Sequence, residues 1–288
     1  MQAGKRWKVD SETGPLKDVL LCPPHHYQWI DTNAIAHATL ASGVPADPKR
    51  RLAQYHELEA TLVSAGVTLH RTVPESHLPY QVYTRDSSQI TPWGPVLTTL
   101  AMPQRRGEYA SLLNFHAQYD GFYKYSTAGT LEGGDIHIVE PGLLILGYSG
   151  VRTNQAGAAQ FAGYFLEHGW EVKQVPFAEH FLHLDVLFCM AAPRLAVACC
   201  EVLGDRFETF LTDRRIKVIR ASYAETIAMS CNLLALGNDR VISPAHSTRL
   251  NACLRAEGLT VLDPELDEFA RGGGSVHCMT MPLLRGPI

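Results

Sequence analysis

Five times along this 288-residue chain an amphipathic helical stretch stops at a single residue and passes straight into a short apolar strand. The stretches are Arg50 to Ala65, Glu108 to Asp120, Thr153 to His168, Asp205 to Arg214 and Ser247 to Glu257. The strands that follow them begin at Val67, Phe122, Trp170, Ile216 and Leu259. Gly66, Gly121, Gly169 and Gly258 stand at four of the stops, and glycine readily takes the left-handed conformation that closes a helix. Arg215 stands at the remaining one. The junctions are 55, 48, 46 and 43 residues apart, which is the spacing of repeated supersecondary units, each with strands and one helix. A unit of that kind cannot bury its apolar face alone. Either the units close into a ring, an α/β propeller, or they line up in an ordinary α/β sheet with helices on both faces. Periodicity by itself leaves both open. No linker or low-complexity stretch separates the units, so residues 1–288 are expected to form a single domain.

Charge and composition narrow the function classes. A formal charge of −4 and a pI near 6.3 lack the basic footprint of a nucleic-acid binder, which favours a small-molecule ligand. The seven cysteines are scattered with no Cys-x-x-Cys pair, so neither a disulfide framework nor a zinc ribbon is expected. Met1 to Asp10 is polar, and no apolar run approaches the ~18 residues of a membrane span. The expectation is a soluble, cytoplasmic protein with no membrane partner, and with homo-oligomerisation left open.

The chemistry gathers in four motifs. Gly272-Gly273-Gly274 leads to Cys278, a setting for a nucleophile, because glycine allows close approach to the main chain. The other six cysteines lie in strand or helix patterns, where cysteine behaves as a small apolar residue. His183, in His183-Leu184-Asp185, suits general acid and base work near neutral pH, although a lone histidine is more often structural. His277 adjoins the cysteine, but in an extended strand it would point to the opposite face. Glu132 and Asp135 flank two glycines, and Asp86 follows Thr84-Arg85. Without a dense ligand cluster these acids make a weak metal site, so no metal or cofactor is expected. A planar organic cation suits them better, since carboxylates accept paired N–H donors from a guanidinium. Each acid taken singly is as well explained as a turn residue or cap. Asp86, Glu132, His183 and Cys278 nevertheless fall 20, 11, 14 and 20 residues after their units' junctions. A ring would bring all four towards its axis.

Those residues carry a resemblance. Thr84-Arg85-Asp86, Leu131-Glu132-Gly133-Gly134-Asp135, His183-Leu184-Asp185 and Gly272-Gly273-Gly274 with His277-Cys278-Met279-Thr280 resemble, in order, the motifs of the guanidine-modifying superfamily, or penteins. That superfamily includes arginine deiminases, dimethylarginine dimethylaminohydrolases, agmatine deiminases and amidinotransferases. The resemblance implies a five-unit α/β propeller with its active site on the central axis. It further implies that Cys278 attacks the guanidinium carbon, that His183 protonates the departing amine and then activates water, and that Glu132 orients His183. Asp86 and Asp185 would grip guanidinium nitrogens. Arg105 and Arg152 would hold the substrate's α-carboxylate.

Departures from the superfamily's patterns leave its branches open. The chain has no room for the added helical domain of arginine deiminases, and its size is nearer the dimethylarginine hydrolases. His277-Cys278 is like agmatine deiminases and amidinotransferases, while Cys278-Met279-Thr280-Met281-Pro282 is nearer the arginine deiminases. The leading expectation is hydrolysis of a guanidinium C–N bond in arginine or a methylated arginine, giving citrulline and ammonia or a methylamine. An amidinotransferase and a non-catalytic binding protein on the same fold are the alternatives. Gly14-Pro15 and the Leu21 to Asp31 segment are candidates for the rim of the site.

Overall fold

The computed structural model describes residues 6–288. Its strands form five three-stranded sheets, all but one from a contiguous segment of chain. β3 (Ser88–Thr91), β4 (Gly94–Leu97) and β5 (Lys124–Tyr125) make the first such sheet. β6 (Ile136–Glu140), β7 (Leu143–Tyr148) and β8 (Glu171–Pro176) make the next. β9 (Phe188–Ala192), β10 (Leu195–Ala198) and β11 (Lys217–Arg220) follow, then β12 (Leu234–Gly237), β13 (Arg240–Ile242) and β14 (Thr260–Leu262). In each, a leading strand pairs antiparallel with the middle strand, which then crosses over through a helix to a parallel third strand. The exception joins both ends of the chain. β1 (Leu16–Leu21) pairs in parallel with β2 (Thr68–Arg71), and its antiparallel leading strand is β15 (Met281–Arg285).

Neighbouring sheets meet in a closed cycle. β15 packs on β3, Thr99 bridges to Leu131, β7 meets the turn at 184–186 ahead of β9, β9 packs on β12, and β12 on β1. The ring, and not the open sheet, is therefore the arrangement that the period describes. Leading and middle strands are almost wholly buried, including Ile136, Ile138, Leu144 and Leu146 in one sheet and Phe188, Met190, Ala196 and Ala198 in another. Third strands are half exposed and covered by their crossover helices.

The helices form where the sequence places them. Pro48–Ser64 starts at proline, is capped by Asp47 accepting from the Lys49 and Arg50 amides at 3.0 Å, and buries Arg51, Gln54, Tyr55, Leu58 and Leu62 on one stripe. Gln155–Leu166 is capped by Asn154, which accepts from the Gly157 amide at 2.9 Å. Thr153, expected inside that helix, stays outside it and accepts from the Glu132 amide at 3.0 Å. The second helix starts later than expected, at Tyr109, after a 3-10 turn over Pro103–Glu108. All five junction residues have positive φ: 83° at Gly66, 64° at Gly121, 74° at Gly169, 91° at Gly258 and 59° at Arg215. Arg215 thus holds a conformation that costs an L-residue about 1 kcal/mol. Among the described residues, no helix is long and apolar enough to cross a membrane.

Candidate active site

Each sheet presents, just ahead of its leading strand, one polar residue towards a common pocket. Asp86 precedes β3, Glu132 precedes β6, His183 precedes β9, Asn232 precedes β12 and Cys278 precedes β15. Asp86, Arg105, Arg152, His183 and Cys278 line the pocket, with Asn33, Tyr80, Tyr83, Leu182, Gly272 and Gly273 around them. Glu132 and Asp185 lie immediately behind, both fully buried, and are reached through His183 and Cys278.

Glu132 holds the histidine. Its Oε2 is 2.7 Å from His183 Nε2 and accepts from Arg152 Nη1 at 3.4 Å, while Oε1 accepts from the Ala101 amide at 2.9 Å. Burial would raise this carboxyl's pKa, but the His183 hydrogen bond and the Arg152 charge hold it well below the ordinary carboxylate range. Burial acts on His183 in the opposite sense and is again outweighed. Asp86, with Oδ1 3.7 Å from Nδ1, and Glu132 lift the imidazole to about 10. His183 therefore enters neutral solution as a cation with a proton to give. Asp135 fixes the backbone beside it, its Oδ1 accepting from the Leu184 amide at 2.8 Å, and burial pushes that carboxyl up to about 7. Leu182, the residue before His183, sits at φ 57°, an unfavourable backbone held at the pocket wall. A Cβ on Gly134 would lie 2.8 Å from the His183 ring, so that glycine is what lets the imidazole stack against the loop.

Cys278 is 4% exposed and lies in a single helical turn, Val276–Met279. Its Sγ is 3.2 Å from Asp185 Oδ2 and 3.1 Å from Asn232 Nδ2. Burial and the negative charges of Asp185 and Asp86 raise its thiol pKa well above the ordinary value. The free site thus keeps the sulfur protonated. Asp185 itself is held down to about 2: burial opposes this, and the hydrogen bond from His277 Nδ1 at 2.9 Å prevails. Asp185 Oδ1 has no hydrogen-bond partner among the described residues.

Two expectations change here. His277 is not in a strand: because the nucleophile's segment is a helical turn, its ring reaches the same carboxylate oxygen that faces the sulfur. The triple glycine serves packing as much as access. Added Cβ atoms on Gly272 and Gly274 would meet Tyr27 Oη and the Tyr83 ring, and only Gly273, at φ 96°, needs a left-handed backbone.

The two arginines differ. Arg105 donates Nε and Nη2 to Glu108 at 2.8 and 3.0 Å, Nη2 also to Tyr83 O at 3.2 Å, and Nη1 to Asp86 Oδ2 at 2.6 Å. A paired grip on a carboxylate would require Arg105 to release these partners. Arg152 is bound more loosely, to Glu132 and, through Nη2, to Thr32 O at 3.1 Å. Of the expected rim, Gly14 packs on Gly237 and Gly286 and does not line the pocket. Asn33 lines the pocket, and its Nδ2 donates to Gly272 O at 3.1 Å.

Two groups of side chains have the spacing of metal ligands, Asp86 with Glu132 and His183, and His137 with Cys189 and His277. In the first, Glu132 and His183 bond each other at 2.7 Å and Asp86 bonds Arg105. In the second, the imidazole planes are stacked 15° from parallel, so their in-plane lone pairs do not converge on one point.

Comparison with known proteins agrees with this architecture. Residues 32–285 match the family model described as N,N dimethylarginine dimethylhydrolase, eukaryotic. The chain is 27% identical over 278 residues to YkgA of Bacillus subtilis (strain 168), covering 96% of this chain and 94% of that one. It is 26% identical over 265 residues to the N(G),N(G)-dimethylarginine dimethylaminohydrolase of Mycobacterium tuberculosis (88% and 80% covered). Against the arginine deiminase of Rhodococcus jostii it is 27% identical, covering 73% of this chain but 61% of that protein. The fold is similar to that of a Pseudomonas aeruginosa DDAH complexed with citrulline, with TM-score 0.79, 22% identity and coverage of 93% and 99%. The N-terminal domain of ArgZ, an arginine dihydrolase from cyanobacteria, gives TM-score 0.79 and 22% identity, with 93% and 97% covered. The chain belongs to the N,N-dimethylarginine dimethylhydrolase family, within the guanidine-modifying, or pentein, superfamily.

Proposed function

We propose that the protein hydrolyses a guanidinium C–N bond of arginine or a methylated arginine through a covalent intermediate on Cys278. The observation that carries this reading is the meeting, at and immediately behind one buried pocket, of the Cys278 thiol, the Asp86 and Asp185 carboxylates and the His183 imidazole held by a third acid, Glu132.

The substrate cation docks between Asp86 and Asp185, and Arg152 takes its carboxylate, joined by Arg105 if its Glu108 contacts loosen. A positive charge between those two acids cancels the repulsion that keeps Cys278 protonated. The thiol proton leaves through Asp185 Oδ2, the acceptor it already faces at 3.2 Å. The thiolate then bonds to the guanidinium carbon. His183 gives its proton to the departing nitrogen as the C–N bond breaks, which leaves a cationic thiouronium on sulfur and a neutral imidazole. That imidazole, still oriented by Glu132, takes a proton from water as the water oxygen bonds to the same carbon. As the C–S bond breaks, the hydroxyl proton passes through Asp185 Oδ2 to the departing sulfur, which releases the neutral ureido product and restores the thiol. No step needs a metal or a cofactor.

The test is to incubate the purified protein separately with arginine, monomethylarginine, asymmetric dimethylarginine and agmatine and identify both products by mass spectrometry. Citrulline with dimethylamine, methylamine or ammonia supports the reading and names the leaving group. Undiminished turnover by Cys278→Ser would overturn it.

A further inference from the structure

We propose that Asn232 is a catalytic residue of this site, a neutral donor that holds the Cys278 sulfur and favours its thiolate. The inference rests on the reading of Cys278 as nucleophile. Position first draws attention to Asn232. Four sheets deliver an expected site residue just ahead of their leading strand, and Asn232 occupies that register in the fifth, ahead of β12. It is fully buried beneath the pocket.

Its hydrogen bonds then fix its orientation. Asn232 Oδ1 accepts from the backbone N–H groups of His277 at 3.0 Å and Cys278 at 3.2 Å. Both are donors, so the amide cannot flip without setting N–H against N–H. Nδ2 must therefore face the other way, towards Asp185 O at 3.3 Å and Cys278 Sγ at 3.1 Å. With one hydrogen on the carbonyl, the second lies on the sulfur.

That contact changes strength with the charge on sulfur. An N–H donor bonds an anion roughly twice as strongly as a neutral acceptor. Asp185 Oδ2, also beside the sulfur, acts in the opposite sense: it accepts the thiol proton and repels the thiolate. Asn232 thus offsets the Asp185 charge without adding a cation that would repel a guanidinium. A lysine in its place would stabilise the thiolate but exclude the substrate. Through Oδ1 the same side chain pins the turn that carries the nucleophile.

The experiment follows the rate at which neutral iodoacetamide alkylates Cys278 as a function of pH, read by peptide mass spectrometry. It uses the wild type, Asn232→Asp and Asn232→Ser, with Cys278→Ser as the unlabelled control and thermal melting as the check on folding. Asn232→Ser removes the donor without adding charge, whereas Asn232→Asp keeps an acceptor for the two backbone N–H groups, removes the donor and sets a second carboxylate beside the sulfur. Asn232→Ser should move the labelling profile up by about one pH unit, which is about tenfold slower at a fixed pH on its rising limb, and Asn232→Asp, with its added charge, should move it further. They should also lower kcat at least tenfold, with KM changed by less than about threefold. A merely structural role would lower the melting temperature and leave the profile in place. Superimposed profiles in either folded variant would overturn the proposal while leaving the Cys278 mechanism standing. If wild-type Cys278 is never labelled ahead of the other buried thiols, the nucleophile reading falls, and this inference with it.

Discussion

Replacing Asp185 by asparagine should make the sulfur more reactive and the enzyme less active. Asp185 Oδ2 lies 3.2 Å from Cys278 Sγ. At an effective dielectric of about 20, two unit charges at that distance repel by roughly 5 kcal/mol. His277 Nδ1, 2.9 Å from the same oxygen, draws off part of the carboxylate's field, so we expect about half of the repulsion to bear on the thiolate. That amounts to a fall of about two pKa units for the thiol in Asp185→Asn. The assay is the pH dependence of alkylation by neutral iodoacetamide, which senses the thiolate without needing the guanidinium subsite. At pH 7 the variant should label about a hundredfold faster than wild type, whereas its kcat/KM on the guanidino substrate should fall by at least a hundredfold. A profile that stays put, or moves to higher pH, would refute the electrostatic account of why the free site holds a neutral thiol.

Three further outcomes follow from the geometry. Gly134→Ala places a methyl group 2.8 Å from the His183 ring and should drive the imidazole off Glu132, with kcat lowered about a hundredfold and a near wild-type circular dichroism spectrum. Arg215→Gly relieves a left-handed backbone at an exposed position and should stabilise the fold by about 1 kcal/mol, measured by urea denaturation; a loss of stability would show that the Arg215 side chain matters more than its φ of 59°. His183 has a folded pKa raised from 6.5 to about 10, so its contribution is complete below pH 6.5 and is lost as pH rises towards 10. The stability difference between wild type and His183→Gln should accordingly shrink between pH 6.5 and 10, and a difference that grows over that range would contradict the assignment.

Much of this was legible in the sequence because each unit repeats a local rule. A capped amphipathic helix, a left-handed stop and a short apolar strand are local choices; five copies at similar spacing suit a ring or an open sheet, and the matching positions of Asp86, Glu132, His183 and Cys278 after their junctions are what favour the ring. The acids, histidine and cysteine stood out by residue type. Asn232 did not, since asparagine is common in turns and carries no charge. Its signal was positional: it falls 17 residues after the Arg215 junction, within the 11 to 20 that separate the other four from theirs. His277 was misplaced because four residues are too few to tell a period of two from one of 3.6. Arg105 has Glu108 three residues further on, a helical neighbour that competes with any substrate carboxylate, and sequence alone does not rank those partners.

The sheet that joins β1 to β15 has a consequence for how the molecule assembles. Four sheets can form from short contiguous segments, but this one pairs Leu16 with Arg285 and must wait for a contact across nearly the whole chain. The turn bearing Cys278 leads directly into that closing strand. On that topology we expect ring closure, and with it delivery of the nucleophile, to be the last step of folding, after the acids and the imidazole are in place. Protection of Cys278 from alkylation is therefore a readout of ring closure, since the closed site buries the thiol and raises its pKa, and that protection should trail the recovery of helical signal during refolding.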